Sequence, residues 1–274
     1  MKSQTVATVV DAPGKVNWTL DVLSKRLDGY HEITSIMQRI ELADTVTVQH
    51  ATSGIALEVK GPEAWDIPCD ESNIAYTAAK LLGLDGVMIT IEKNLPSQAG
   101  LGGGSSDGAS SLVALNKHFN LDLSREELMM IARKLGADVS FFLYEGACRV
   151  TGFGDIVQPV PSIQPIDLVL VKPPVGVSTV AAYAALDRIA GRKSNCGTAA
   201  WPLHGPSNDF EEAVFALYPE VGDAAKALRD AGAAGTLLCG SGATVMGWGG
   251  NVKEICATLR MSGYEKVWIT RTVD

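Results

Sequence analysis

Apolar and polar residues alternate most cleanly from Val16 onward. Val16, Trp18, Leu20 and Val22 fall on one side of an extended chain, and Lys15, Asn17, Thr19 and Asp21 on the other. This period of two predicts a strand and sets Lys15 beside Asn17 on its polar side. A strand over residues 5–10 is expected before it, with a turn at residues 11–14 between them. After a polar turn at residues 24–29, strands are expected over residues 33–42 and 45–49. The period then lengthens: Ile74, Ala78, Leu81 and Leu82 form one apolar stripe of a helix over residues 73–82. Residues 87–92 read as a strand. Residues 124–135 carry the best helix signals, with Ser124 and Glu127 as a capping box, Leu128, Ile131, Ala132 and Leu135 on one face, and Gly136 as the stop. A buried strand is expected over residues 139–144, then a glycine-rich turn at residues 152–154.

Beyond Pro159 and Pro161 the pattern restarts. A strand over residues 168–171 leads through Pro173 and Pro174 to a helix over residues 179–189. Residues 191–206 are polar, glycine-rich and aperiodic, as expected of a long surface loop. A helix is expected over residues 221–229, and strands over 236–238 and 243–248 flank a small glycine loop, Gly240, Ser241 and Gly242. The change of pattern over residues 155–164 divides the chain into expected lobes of residues 1–158 and 159–274.

With 274 residues, 46% hydrophobic and 20% charged, the chain is long enough for one large domain or two lobes with a sizeable core. A net charge of -8 argues against a nucleic-acid or anionic-membrane surface. The five cysteines are widely spaced, with no C-x-x-C pair, which disfavours a zinc site or a disulfide framework and fits a reducing compartment. No apolar run approaches the roughly 20 residues that span a bilayer, so a cytoplasmic location is expected.

The candidate chemistry centres on Pro96, Ser97, Gln98, Ala99, Gly100, Leu101, Gly102, Gly103, Gly104, Ser105, Ser106 and Asp107. Glycines bring bare N–H groups close to a ligand, and the helix pattern of Ala109, Leu112 and Val113 follows at once. A helix N-terminus preceded by such a loop suits a phosphate. No Lys-Ser or Lys-Thr follows the glycines, so this is not a Walker A loop. The dinucleotide G-x-G-x-x-G spacing is also missed.

Three ordered motifs together carry a resemblance: Ala12-Pro-Gly-Lys-Val-Asn17, the loop at residues 96–106, and Leu238-Cys-Gly-Ser-Gly-Ala-Thr244. On these the chain resembles the galactokinase–homoserine kinase–mevalonate kinase–phosphomevalonate kinase (GHMP) superfamily. Arg26-Leu-Asp-Gly-Tyr-His31 and Gly136-Ala-Asp-Val-Ser-Phe-Phe142 resemble the branch whose substrate carries a cytidine diphosphate, and the Asn208-Asp-Phe-Glu211 run also looks familiar. Gly14 and Gly108 stand where alanine is common, Cys239 where serine or methionine is usual, and Ser140 where proline is frequent. None of these departures removes a phosphate-binding or proton-transferring group.

The resemblance implies an α+β fold of two lobes, the first like the second domain of ribosomal protein S5 and the second ferredoxin-like. It implies an ATP-dependent kinase that uses Mg2+ and a small-molecule, cytidine diphosphate-linked substrate. No nucleic-acid or membrane partner is expected, and the chain is expected as a monomer or weak homodimer. Lys15 and Asp138 are the implied catalytic pair. As bare residues, Lys15 also fits a solvated surface lysine and Asp138 a capping carboxylate. Asn17, Tyr30, His31, Thr179 and Tyr183 are implied at the substrate, with Tyr30 and Tyr183 sandwiching the cytosine and His31 bonding to its edge. Tyr183 fits a core helix position equally well. Asn73 and Lys93 are implied near the adenine, Gly240, Ser241 and Gly242 at the phosphate end, and Asp107 either near Mg2+ through water or as a helix cap.

Overall fold

The computed structural model describes residues 7–161, 164–189 and 205–274. Most of the loop expected over residues 191–206 therefore lies outside the described residues, as do Thr5, Val6 and Cys196. Two compact units alternate along the chain. One takes the described part of Met1–Gly14 with Leu42–Ser97 and Gly102–Glu145; the other takes Lys15–Glu41, Gln98–Leu101 and the described part of Gly146–Asp274.

Strands β1 (Thr8–Lys25) and β2 (His31–His50) contribute residues to both units. Each is a single long strand where the pattern predicts two. The turn expected at residues 11–14 is extended backbone instead: Pro13 is compatible with extended dihedrals, and Ala12 and Val16 stay buried without a change of direction. In β2, Asp44 does not end the strand, because its carboxylate is satisfied by the backbone amides of Asn94 and Leu95.

In the first unit, the second half of β2 pairs antiparallel with β4 (Val87–Glu92), Thr45 opposite Glu92 and His50 opposite Val87. Strand β3 (Ile55–Lys60) runs parallel to β4. Helices α1 (Ile74–Leu81), α2 (Gly103–His118) and α3 (Arg125–Leu135) pack on one another. The capping box of α3 forms as expected: Ser124 Oγ accepts from the Glu127 amide, and the Glu127 carboxylate accepts from the Ser124 amide. The strand expected over residues 139–144 is instead a 3-10 helix, Ala137–Leu143. A short apolar run does not distinguish a buried strand from a buried helical turn. Here α2 and α3 flank the segment, and Val139, Ser140, Phe141, Phe142 and Leu143 are buried in succession rather than alternately.

In the second unit, the first half of β2 pairs with β5 (Ala147–Gly152), which pairs with β6 (Ile156–Pro159). The second half of β1 pairs in parallel with β8 (Ser207–Asn208), Leu20 opposite Asn208. A separate antiparallel sheet joins β7 (Asp167–Val171), β9 (Gly235–Leu238), β10 (Val245–Trp248) and β11 (Val267–Arg271) in the order β11-β7-β10-β9. Helices α4 (Thr179–Leu186), α5 (Phe210–Leu217) and α6 (Pro219–Asp230) lie between β7 and β9 in sequence, and α7 (Val252–Met261) between β10 and β11. Fourth, first, third, second is the strand order of a ferredoxin-like β-α-β-β-α-β unit, as the resemblance implies. Val169, Val171 and Val245 of the sheet share its core with Leu228 of α6 and Leu259 of α7.

The polar side of β1 is not a solvated face. Lys15, Asn17, Thr19 and Asp21 are as buried as Val16, Trp18, Leu20 and Val22. Period two in the sequence marks two sides of a strand, and here both are covered. Among the described residues Cys69, Cys148, Cys239 and Cys256 are free thiols, and no helix is long and apolar enough to cross a membrane.

Gly235 faces Trp248 across the β9–β10 pair, and a Cβ built on it would lie 2.2 Å from Trp248 Cζ2. The indole also meets Trp18 edge-on, at 5.8 Å between ring centroids. Gly235→Ala is therefore expected to lower the unfolding free energy by about 1–3 kcal/mol. Urea unfolding checks this, and an unchanged midpoint contradicts the close approach.

Candidate active site

In the second unit the buried polar side of β1 organises three of the sequence motifs. Lys15 Nζ donates to Asn17 Oδ1 at 2.8 Å, and the same oxygen accepts from the Gly240 amide at 3.1 Å. Asn17 Nδ2 donates to Ser35 Oγ at 2.8 Å, and Ser35 Oγ donates to the Thr19 carbonyl at 2.6 Å. The Lys15 amide donates to the Leu101 carbonyl at 2.9 Å. The amides of Ala243 and Thr244 donate to the carbonyls of Gln98 and Ala99. Residues 98–101 of the first glycine loop thus lie on the second glycine loop and on Lys15. Gly100 has φ 75°, and a Cβ on it would fall 1.9 Å from the Cys239 carbonyl oxygen, so only glycine fits there. Asn208 Nδ2 closes the network, donating to the carbonyls of Leu238 and Gly240, both at 2.8 Å. Thr179 Oγ1 and Ser241 Oγ share a hydrogen bond of 3.1 Å.

The aromatic candidates divide. His31 is buried at the start of β2 and stacks on Tyr183, with centroids 4.7 Å apart and planes 19° from parallel. Tyr183 also meets Phe210 edge-on at 4.8 Å and packs against the core of this unit. Tyr183 thus lies at the margin of the core, the position that one of its two readings from sequence gives it, with its ring against His31. Tyr30 is 63% exposed and leans on Phe153. His31 Nε2 is bonded to Asp187 Oδ1 at 2.8 Å, and Lys25 Nζ donates to Asp187 Oδ2 at 3.1 Å.

In the first unit Gly102 takes a left-handed conformation, φ 73°, and α2 starts at Gly103. The Ser106 amide bonds back to the Gly102 carbonyl. Amides ahead of it in the first turn have no intrahelical acceptor and give this end its partial positive charge. A Cβ on Gly103 would meet Leu95 Cβ at 3.2 Å and Lys93 Nζ at 3.3 Å, whereas one on Gly104 would meet nothing within 4 Å. Open space therefore lies over Gly104 and not Gly103. Pro96 is buried, and Ser97 Oγ donates to the Asp66 carboxylate.

Behind that first turn lies a buried ion-pair cluster. Lys93 Nζ donates to Asp44 Oδ2 at 2.5 Å and to Asp107 Oδ2 at 2.7 Å, with all three residues buried. Burial alone would lower Lys93, but Asp107 and Asp44 hold it above the ordinary lysine range. Burial pushes Asp107 up to about 8, Lys93 opposing and the Asp44 charge adding to the rise. Among the described residues, the buried Asp107 Oδ1 and Ser106 Oγ have no hydrogen-bond partner. Asn73, expected near the adenine, caps α1: its Oδ1 accepts from the Ala75 amide and its Nδ2 donates to the Pro68 carbonyl. Asp138 stands half-buried in the first turn of the 3-10 helix, just past the end of α3.

Four residues of this arrangement were not singled out by sequence reasoning. Asp44 was legible only as an interruption between apolar residues, Ser35 and Asp187 carried no signal, and Asn208 stood out only within its Asn-Asp-Phe-Glu run.

Two family models match the chain: the GHMP kinases N terminal domain at residues 73–146 and the GHMP kinases C terminal at residues 199–263. The chain is 39% identical over 253 residues to the 4-diphosphocytidyl-2-C-methyl-D-erythritol kinase of Shouchella clausii, covering 87% of this chain and 84% of that protein. It is also 39% identical over 282 residues to the enzyme of the same name from Pelotomaculum thermopropionicum, covering 96% of this chain and 97% of that protein. Among solved structures, a 4-(cytidine 5'-diphospho)-2C-methyl-D-erythritol kinase matches with a TM-score of 0.79 at 31% identity, over 97% of this chain and 99% of the other. A homoserine kinase from Cytophaga hutchinsonii, at 19% identity and a TM-score of 0.73 over 98% and 96%, shares the fold.

The Asp107 carboxyl has a consequence for stability. Its folded value, about 8, stands above its ordinary 3.8, so the folded protein keeps a proton that the unfolded chain releases. This contribution is fully present below about pH 4 and is lost as pH rises towards about 8. The unfolding free energy of the wild type relative to Asp107→Asn is expected to fall across that window. Denaturant titrations of both proteins from pH 5 to 8.5 check this, and a constant difference contradicts it.

Proposed function

This chain belongs to the 4-diphosphocytidyl-2-C-methyl-D-erythritol kinases of the GHMP kinase family, and on that premise we propose how its residues carry the reaction. It is an ATP-dependent small-molecule kinase of the non-mevalonate (methylerythritol phosphate) route to isoprenoid precursors. The γ-phosphate of ATP passes to the 2-hydroxyl of 4-diphosphocytidyl-2-C-methyl-D-erythritol, giving the 2-phosphate and ADP. In this reading the lobes run over residues 1–158 and 159–274, which accommodates one family match in each.

The observation that carries the reading is the buried Lys15–Asn17–Gly240 network. Phosphoryl transfer needs little covalent help from protein; it needs positioning and neutralisation of the charge on the transferred group. Lys15 supplies the cation. Asn17 serves the substrate through Lys15, because its amide oxygen holds Lys15 and Gly240 and its amide nitrogen holds Ser35. Asp138 accepts the proton of the hydroxyl or orients it. The acceptor hydroxyl is tertiary, so crowding makes this placement weigh more than basicity.

The loop at residues 96–106 and the first turn of α2 receive the phosphates through backbone amides; Gly240, Ser241 and Gly242 serve the phosphates as well, and Thr179 is bonded to Ser241. Asn73 borders the adenine, and Lys93 acts behind it by fixing the first turn of α2 through Asp107. Tyr30, His31 and Tyr183 form the cytosine site. Mg2+ fits the residues present: among the described residues Asp107 Oδ1 and Ser106 Oγ are hard oxygen atoms without partners, and the charge of the ion would release the proton that burial holds on Asp107. No group of three or more metal-binding side chains occurs among the described residues, which suits an ion held by one or two protein oxygens and by substrate phosphates. When bound it supplies charge neutralisation to the phosphates.

A coupled ADP-release assay over the cytidyl substrate, mevalonate and homoserine tests the reading. The highest kcat/KM is expected for the cytidyl substrate; a preference for either smaller alcohol overturns it. With that substrate, Asp138→Asn and Lys15→Met are each expected to lower kcat by roughly 100- to 10,000-fold with little change in KM. Near-normal kcat in either variant removes that residue from the mechanism.

A further inference from the structure

Among the described residues, His31 is hydrogen-bonded through one ring nitrogen. Nε2 meets Asp187 Oδ1 at 2.8 Å, just past the end of α4, while the ring face lies on Tyr183. The second oxygen of Asp187 accepts from Lys25 Nζ at 3.1 Å. Burial would raise the Asp187 carboxyl, but the bonds from Lys25 and His31 hold it below the ordinary carboxylate range. An ionised carboxylate only accepts hydrogen bonds. In the neutral imidazole the hydrogen therefore sits on Nε2, and Nδ1 carries the lone pair.

A nitrogen lone pair reads a donor. Cytosine presents an amino group where a uracil-type base presents a carbonyl oxygen. We infer that Asp187 is a positioning residue that fixes the His31 tautomer, so that the site selects a pyrimidine with an exocyclic amino group over its carbonyl counterpart. This rests on the cytidine-linked substrate proposed above and adds the source of the base selectivity. Lys25 has a part in it: by donating to Oδ2, it requires an acceptor on that side of residue 187.

That requirement makes the test sharp. In Asp187→Asn the amide oxygen must face Lys25, so the amide NH2 faces His31 Nε2 and drives the hydrogen to Nδ1. The ring then presents a donor to the amino group of cytosine and a partner to the carbonyl of uracil. The ratio of kcat/KM for the cytidyl substrate to that for its uridyl analogue is expected to fall by at least roughly 10-fold, with KM for ATP unchanged. In the double variant Lys25→Met, Asp187→Asn the amide is free to turn its oxygen to Nε2–H, and the ratio is expected to recover towards the wild type.

Imidazole 15N chemical shifts in the ligand-free protein report the tautomer independently: Nε2–H in the wild type and Nδ1–H in Asp187→Asn. A purely structural role for Asp187 lowers both substrates together and leaves the ratio alone. An unchanged ratio in Asp187→Asn, or Nδ1–H or a doubly protonated ring in the wild type at neutral pH, overturns the inference. Failure of the wild type to use the cytidyl substrate overturns the proposed function instead, and the 15N signature still decides the Asp187–His31 relation.

Discussion

A lysine ammonium buried on a strand needs acceptors, and Lys15 Nζ donates to Asn17 Oδ1 at 2.8 Å. The two-residue spacing puts both side chains on the same side of β1, and burial makes their bond matter, since a polar group enclosed without a partner costs about 1–3 kcal/mol. The carboxamide does more than hold the lysine. Its oxygen also takes the Gly240 amide and its nitrogen takes Ser35 on β2. One side chain thus registers a strand, the second glycine loop and a cation against each other. Asn208, at β8, holds the far side of that loop through the carbonyls of Leu238 and Gly240, and Glu211 accepts from the Leu238 amide.

The first unit solves a parallel problem with charges. Two buried carboxylates share Lys93, which leaves one excess negative charge in a buried site, and a raised proton affinity at Asp107 is the physical response. Because Asp107 lies one turn into α2, and Asp44 is bonded to the backbone at Asn94 and Leu95, the cluster ties the start of the helix to β2 and to the end of β4. The two glycines at that start then differ in kind. Gly103 leaves room for the buried cluster beneath it, and Gly104 leaves room above.

Much of this was legible in the sequence where the signal is local. The alternation from Val16 to Val22, the capping box at Ser124 and Glu127, and the glycine loop with the helix behind it all survive in the structure. Periodicity gives sidedness but not solvent exposure, so it did not disclose that the polar side of β1 is buried. It also does not separate a strand from a 3-10 turn in a short apolar run, as at Val139–Leu143. The partners that give the candidate residues their chemistry were illegible for another reason. Lys93 and Asp44 are 49 positions apart, and His31 and Asp187 are 156 apart; such pairs exist only once the strands and helices have met. Tyr183 fitted both an aromatic wall and a core position in the sequence, and its ring lies at the margin of the core against His31.

If Lys15 is the cation proposed for phosphoryl transfer, the chemical step should depend on Asn17, whose carboxamide holds it. The most direct measurement is the single-turnover rate of phosphoryl transfer in Asn17→Ala, with enzyme in excess and ATP saturating. The account predicts a fall of roughly 10- to 100-fold in that rate, with ATP affinity within about 2-fold of wild type, because a misplaced cation loses transition-state stabilisation without losing the nucleotide. A folded Asn17→Ala protein that transfers the phosphoryl group at the wild-type rate would contradict it.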